Sequence, residues 1–206
     1  GADATSEDAV RRIYEVKARP VDHPLIVHIS SIEYLDKWAQ DIPEYAVKLA
    51  RVFWPGPLTL ILSRTNLAKN FITGCQNNVG IRVPSHAVAL HLLKEFESQG
   101  GFGIAAPSAN RFGAVSPTTA QAVKEELADY LDESSDVILD GGPCQVGVES
   151  TIIDCTSDTP QILRLGAITK EMIATSTGLL VVDEPTTDIR VSGSLESHYA
   201  PNAKVV

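Results

Sequence analysis

Apolar positions change rhythm repeatedly along this chain, and the changes outline its elements. Over 6–17, Val10, Ile13 and Tyr14 fall on one helical face with Glu7 and Asp8 in the first turn, which predicts a helix ended with the help of Pro20. The compact apolar run 25–29 predicts a strand, and helical spacing returns over 32–40 and 44–53, the latter opening at Pro43. Trp54-Pro55-Gly56-Pro57 is a hard stop before a strand at 58–62. Strands follow at 79–83 and 102–106, separated by a helix that Ser85 can cap and that runs to about 97.

Ser116 and Pro117 then have the form of an N-cap and first helical residue, predicting a helix over 117–131. Short strands are expected at 137–139, 151–154, 162–165 and 179–182, with a helix from a Thr169 cap to about 174. Strands and helices interleave irregularly, so the expected fold class is α/β, an open twisted mixed β-sheet flanked by helices. From Asp183 the periodicity fades and the chain turns polar, so 1–182 is read as the domain and 183–206 as a linker.

Composition narrows the options. The chain has 206 residues, 44% of them hydrophobic, enough for one domain with its own core. A net charge of −9 argues against a broad nucleic-acid-coating surface but not against a local basic pocket. Cys75, Cys144 and Cys155 form no CxxC pair and suggest neither a disulfide framework nor a zinc site, and His86 and His91 do not share a helical face as metal ligands would. No apolar stretch reaches the roughly 20 residues that span a bilayer, so a soluble, cytoplasmic protein is expected. The chain begins on Gly1, which reads as a fragment.

The candidate chemistry lies at strand ends. Gly103-Ile104-Ala105-Ala106-Pro107-Ser108-Ala109-Asn110 delivers hydroxyl and amide groups to the carboxyl end of a strand, the edge where open α/β sheets bind ligands. With Ser116 at a helix start, this forms a candidate anion site. Lys17 and Arg19 combine a point charge with a planar fork, a pair suited to polyphosphate, although basic residues ending a helix also simply complement its dipole. His28 sits in an apolar strand, where a satisfied core histidine is the ordinary reading. Arg82 within Gly80-Ile81-Arg82-Val83-Pro84 needs an anionic partner, either structural, such as Glu149, or a ligand carboxylate. Arg164 is a second strand arginine, and Gly147-Val148-Glu149-Ser150-Thr151 is a glycine-opened loop without a Walker A or GxGxxG pattern. No nucleophile–base pair is evident, and cations with hydroxyls at strand ends suit electrostatic positioning of phosphates.

Five segments in register resemble the YrdC-like family, the threonylcarbamoyl-AMP synthases. They are Lys17-Ala18-Arg19-Pro20 with His23-Pro24-Leu25-Ile26-Val27-His28, Trp54-Pro55-Gly56-Pro57-Leu58-Thr59, Val79-Gly80-Ile81-Arg82-Val83-Pro84, Ala106-Pro107-Ser108-Ala109-Asn110, and Val148-Glu149-Ser150-Thr151-Ile152. Ser197-His198-Tyr199-Ala200-Pro201 resembles the linker of the longer family type, which leads to a smaller C-terminal domain that this chain is expected to lack. Members also carry Pro-Thr-Glu-Thr-Val-Tyr-Gly-Leu directly before the Gly-Ala-Asp that opens this chain, and Ala18 stands where glycine is common.

The resemblance implies a large cleft and formation of threonylcarbamoyl-AMP and pyrophosphate from L-threonine, bicarbonate and ATP with Mg²⁺, serving threonylcarbamoyladenosine in tRNA. By resemblance, Lys17 and Arg19 are catalytic, and Arg19, His23, Asn78, Ser108, Asn110, Ser116 and Arg164 hold the nucleotide. Arg82 grips the threonine carboxylate, His28, Ala106 and Ser150 shape its pocket, and the linker around 192–199 closes as a lid. No residue is assigned to hold the metal. The tRNA or its threonylcarbamoyl transfer machinery is an implied partner. An RNA-binding module and a carbamoyltransferase domain that adenylates carbamoyl phosphate are the alternatives.

Overall fold

The computed structural model describes residues 1–144, 147–183 and 187–193. The expected linker motif at 197–201, and the lid beyond Gly193, lie outside the described residues. Seven strands among them form one open sheet: β1 (Ala2–Asp3), β2 (Ile26–His28), β3 (Leu58–Ser63), β4 (Asn78–Arg82), β5 (Ile104–Ala105), β6 (Thr151–Asp154) and β7 (Gln161–Arg164). Their spatial order is β1-β5-β2-β4-β3-β6-β7. Pairings β2–β4 and β3–β6 are parallel and the others antiparallel, so the sheet is mixed, as its irregular strand–helix order predicts.

Period-two alternation sends Val27, Ile81, Leu60 and Ile153 to one face. Helices α1 (Glu7–Lys17), α2 (Leu35–Trp38), α3 (Glu44–Phe53), α4 (Asn70–Thr73) and α7 (Lys170–Thr177) bury their apolar stripes in the same core, led by Val10, Ile13, Trp38, Leu49, Ile72 and Ile173. Two further helices, α5 (Ala87–Ser98) and α6 (Ala120–Leu127), complete the set. The opposite face carries Ile26, Ile61 and Ile152, which pack with Ile189 and Val191. The described part of the segment after Asp183 is therefore laid along the sheet.

Most predicted elements are present, with specific departures. Ser116 and Pro117 do not start a helix: α6 begins at Ala120, capped by Thr119, whose hydroxyl accepts from the Ala122 amide. Ser116 instead spends its hydroxyl on Glu149. Ser85 does not cap α5, whose cap residue is His86 and makes no side-chain cap bond. The 137–139 run is not a strand; without a neighbouring edge to join, Val137 and Leu139 stay 79% and 57% exposed. At 179–182 only a single bridge forms, between Gln161 and Val182. Helix α1 ends because Ala18 takes a left-handed conformation (φ 48°) before Pro20 is reached. Neither β1 nor α4 is visible as periodicity, since two and four residues give no repeat to read. No described helix is long and apolar enough to cross a membrane.

Candidate active site

One lateral row of residues builds the floor of a cleft. His28 stands opposite Ile104 on one side and Arg82 on the other, while Thr59 pairs with Ile152, which pairs with Arg164. Side chains in register across a sheet share a face, so this face presents His28, Arg82 and Arg164 together. Above it opens a cleft of about 380 Å³, walled by Ala89, Leu92 and Leu93 of α5, by Ala106, Pro107 and Ser108 after β5, and by Glu149, Ser150, Ser192 and Gly193.

Of the expected site residues, Arg19, His28, Arg82, Ala106, Ser108, Ser150 and Arg164 line this cleft. The remaining five stand around it. Lys17, 4% exposed, lies behind the loop, its ammonium donating to the carbonyls of Ser108 (2.6 Å) and Asn110. The Phe112 amide returns a bond to the Lys17 carbonyl at 2.8 Å, and Asn110 Nδ2 donates to Arg111 and Ala114 carbonyls. The end of α1 thus clamps the loop that presents Ser108. Ser116 Oγ donates to Glu149 Oε1 at 3.0 Å. His23 stacks edge-on against Phe112, over whose ring the Arg19 guanidinium sits at 5.7 Å. Asn78 opens β4 beside a smaller pocket shared with Pro24, Arg190 and Ser192.

The two strand arginines are held differently. Arg82 Nε donates to the Gly56 carbonyl at 3.0 Å, and no carboxylate lies within 4.0 Å of its guanidinium among the described residues. Gly56 is required there because a Cβ would stand 2.1 Å from the Phe53 carbonyl oxygen. Arg164 donates to the Ser150 carbonyl from Nε (3.0 Å) and Nη2 (2.8 Å), to Ser150 Oγ at 2.9 Å and to the Ser192 carbonyl at 2.7 Å. It also faces Glu149 Oε2 at 3.5 Å. Arg19 Nη2 donates to Pro24 O and to Ser192 Oγ, while its buried Nε has no partner among the described residues. Ser150 Oγ shares a buried 2.8 Å hydrogen bond with Thr59.

Burial dominates the electrostatics. It lowers the pKa of Arg19 and, offset by Glu149, of Arg82, both of which stay charged. Lys17 is brought down to about 8 by burial and then by the Arg19 charge. Burial followed by the Arg82 charge lowers His28 to about 3, and its Nδ1 has no hydrogen-bond partner among the described residues. His28 is therefore a neutral wall of the cleft at neutral pH. An unfolded chain binds a proton near the ordinary histidine value of about 6.5, so this group's contribution to stability is present above that value. It falls away as pH drops from about 6.5 toward 3, by up to roughly 1.4 kcal/mol per pH unit. Melting curves from pH 7 to 4 should show a shallower acid loss in His28→Asn than in the native protein. Unchanged slopes would mean that His28 titrates freely in the fold.

Sequence reasoning missed the α5 wall, although Ala89 and Leu92 stand one helical turn apart on an amphipathic stretch. It missed Glu149 as a lining residue, because the motif gave no sign of which way that side chain points. The approach of Ser192 and Gly193 carries no local signal, since it depends on distant chain packing back.

Comparison with known proteins agrees with this geometry. The family model Sua5_yciO_yrdC, described as telomere recombination, matches residues 1–166. The threonylcarbamoyl-AMP synthase of Pyrococcus abyssi is 42% identical over 211 residues, covering 100% of this chain and 60% of that protein. That of Bacillus subtilis is 44% identical over 208 residues, covering 98% and 58%. The chain thus spans about three-fifths of the length of these curated relatives. The crystal structure of P. abyssi Sua5 complexed with L-threonine superposes with a TM-score of 0.89 at 42% identity, over 99% of this chain and 59% of that one. Sharing sequence and fold with these proteins, the chain belongs to the Sua5/YciO/YrdC family.

Proposed function

We propose that the protein is a nucleotidyltransferase that makes threonylcarbamoyl-AMP and pyrophosphate from L-threonine, bicarbonate and ATP. The observation that carries this reading is Arg82, a half-buried cation open to a cleft and, among the described residues, free of any carboxylate partner within 4.0 Å. It stands in a chain 42% identical to a Sua5 crystallised with L-threonine. A desolvated guanidinium without a counter-ion favours a carboxylate ligand strongly.

Threonine would sit with its carboxylate at Arg82, walled by neutral His28, Ala106 and Ser150. Its ammonium first gives up a proton, and the free amine then attacks the bicarbonate carbon, forming the C–N bond of a carbamate as water leaves. A carbamate oxygen then attacks the α-phosphorus of ATP, forming the P–O bond as the bond to the β-phosphate breaks and pyrophosphate leaves with the electron pair. The substrate is the nucleophile, so the protein's part is alignment and charge neutralisation. Arg19, Ser108 and Arg164 line the space for the nucleotide. Lys17 and Asn110 hold the Ser108 loop from behind and Ser116 supports Glu149, while His23 and Asn78 flank the nucleotide end. As for Mg²⁺, no group of three or more His, Cys, Asp or Glu side chains suited to a metal occurs among the described residues. Glu149, the one lining carboxylate among the described residues, is already bonded to Ser116 and Arg164. This donor set does not fit a protein-held ion, and Mg²⁺ would arrive on the triphosphate.

Residues 1–182 would form the catalytic domain and 183–206 the linker, in a cytoplasmic protein that hands its product to the tRNA threonylcarbamoyl transfer machinery. The test is incubation with α-labelled ATP, bicarbonate and Mg²⁺, with and without L-threonine. A threonine-dependent adenylate with matching pyrophosphate is expected. ATP binding without such a product would reject the reading.

A further inference from the structure

Glu149 has no part in the reaction just described, yet among the described residues it is the only carboxylate lining the cleft. It is held in place from two sides. Oε1 accepts the Ser116 hydroxyl at 3.0 Å, and Oε2 lies 3.5 Å from Arg164 Nη2. Its side chain is still 32% exposed, so one flank remains open. Arg82 shares the cleft, and the Glu149 charge favours the Arg82 cation, yet the two stay more than 4.0 Å apart. A structural ion pair in such a site would be expected to close.

Opposite charges that share a cleft without meeting form a receptor for a ligand that carries both signs close together. An α-amino acid is such a ligand, with its carboxylate one carbon from its ammonium. We propose that Glu149 reads the α-ammonium of the amino-acid substrate while Arg82 takes the carboxylate, with Ser116 as the positioning residue that aims Glu149. This assignment rests on the reading of the cleft as an amino-acid site. Arg164 meets only Oε2, at 3.5 Å, while its fork is bonded to the Ser150 carbonyl and hydroxyl and to the Ser192 carbonyl, so the carboxylate keeps accepting capacity for an ammonium. The other lining cations, Arg19 and Arg164, suit phosphate and offer an ammonium nothing.

The test is calorimetric binding of L-threonine and of (R)-3-hydroxybutyrate, which keeps the carboxylate and hydroxyl but lacks the amine. The native protein should prefer threonine by about tenfold or more, the size of one charge-assisted hydrogen bond in a partly desolvated site. Glu149→Gln should erase that preference while leaving the analogue's affinity within about twofold, since only the ammonium contact is lost. A native protein without the preference, or a variant that retains it, overturns the proposal.

Should the variant fail to fold, the native protein alone still decides. Threonine affinity must fall as pH rises through the ammonium's own pKa, relative to the analogue, which reports any change in the protein's charges. Parallel pH curves for the two ligands would reject the assignment. Binding of ATP but of neither threonine nor the analogue would instead remove the amino-acid reading itself, and this assignment with it.

Discussion

Replacing Arg82 with methionine should lower kcat/KM for threonine by about a hundredfold or more, roughly 3 kcal/mol of lost carboxylate recognition. Folding stability should move by no more than about 1 kcal/mol. Both halves follow from how Arg82 is held. Its guanidinium is desolvated and, among the described residues, donates once, to the Gly56 carbonyl, and finds no carboxylate within 4.0 Å. Methionine forfeits that one bond but also removes the cost of a half-buried cation, and the two roughly offset. Arg82→Lys would keep the charge without the fork or the reach to Gly56, so it should recover only part of the activity. Because the carboxylate contact is common to threonine and its deaminated analogue, Arg82→Met should weaken both alike, unlike Glu149→Gln. A thermal melt and a threonine titration on one preparation decide the matter. A protein that melts several degrees lower yet keeps its threonine KM would show Arg82 to be a structural ion-pair partner.

How far the sequence reveals this site depends on the range of the interaction. Helix α1 and its Val10–Ile13–Tyr14 stripe are local, and the structure repeats them. Strands at Leu58–Ser63 and Asn78–Arg82 are likewise legible, because each is a bounded apolar run. Ser116 shows where local reasoning fails. Serine before proline has every mark of a helix start, but a carboxylate 33 residues away competes for the hydroxyl, and Thr119 caps the helix instead. Lys17 is a similar case. Its place beside Arg19 in the sequence suggested two phosphate-facing cations, but α1 sends its ammonium under the 108–110 loop while Arg19, two residues on, lines the cleft. The left-handed turn at Ala18 separates the two, a conformation that alanine adopts only under tertiary constraint. Glu149 was visible as Arg82's possible partner, but a sequence cannot give the gap between them, and that gap separates a salt bridge from a receptor.

Arg164→Met should behave in the opposite way to Arg82→Met, costing about 3 kcal/mol of stability and about 6–12 °C in melting temperature. Arg164 is a brace: its side chain is 10% exposed and it donates to the Ser150 carbonyl, Ser150 Oγ and the Ser192 carbonyl while facing Glu149. Methionine satisfies none of these, so two carbonyls lose their donor and a carboxylate loses its counter-ion in a half-buried site. The Ser192 carbonyl matters most for the wider structure, because the Arg164 bond and the Ser192 hydroxyl's contacts with Arg19 and Pro24 tie the 187–193 segment to the domain. Hydrogen exchange should therefore rise at Val191 and Ser192 in the variant before it rises in β6 or β7, since loss of an anchor opens the attached segment first. Lysine should not rescue, because one ammonium cannot span Ser150 and Ser192 as a fork does. A variant that melts normally and loses only ATP affinity would make Arg164 a nucleotide ligand with no bracing role. A drop in melting temperature with early exchange at 191–192 would show that the cleft's floor and the chain leaving the domain are held by the same guanidinium.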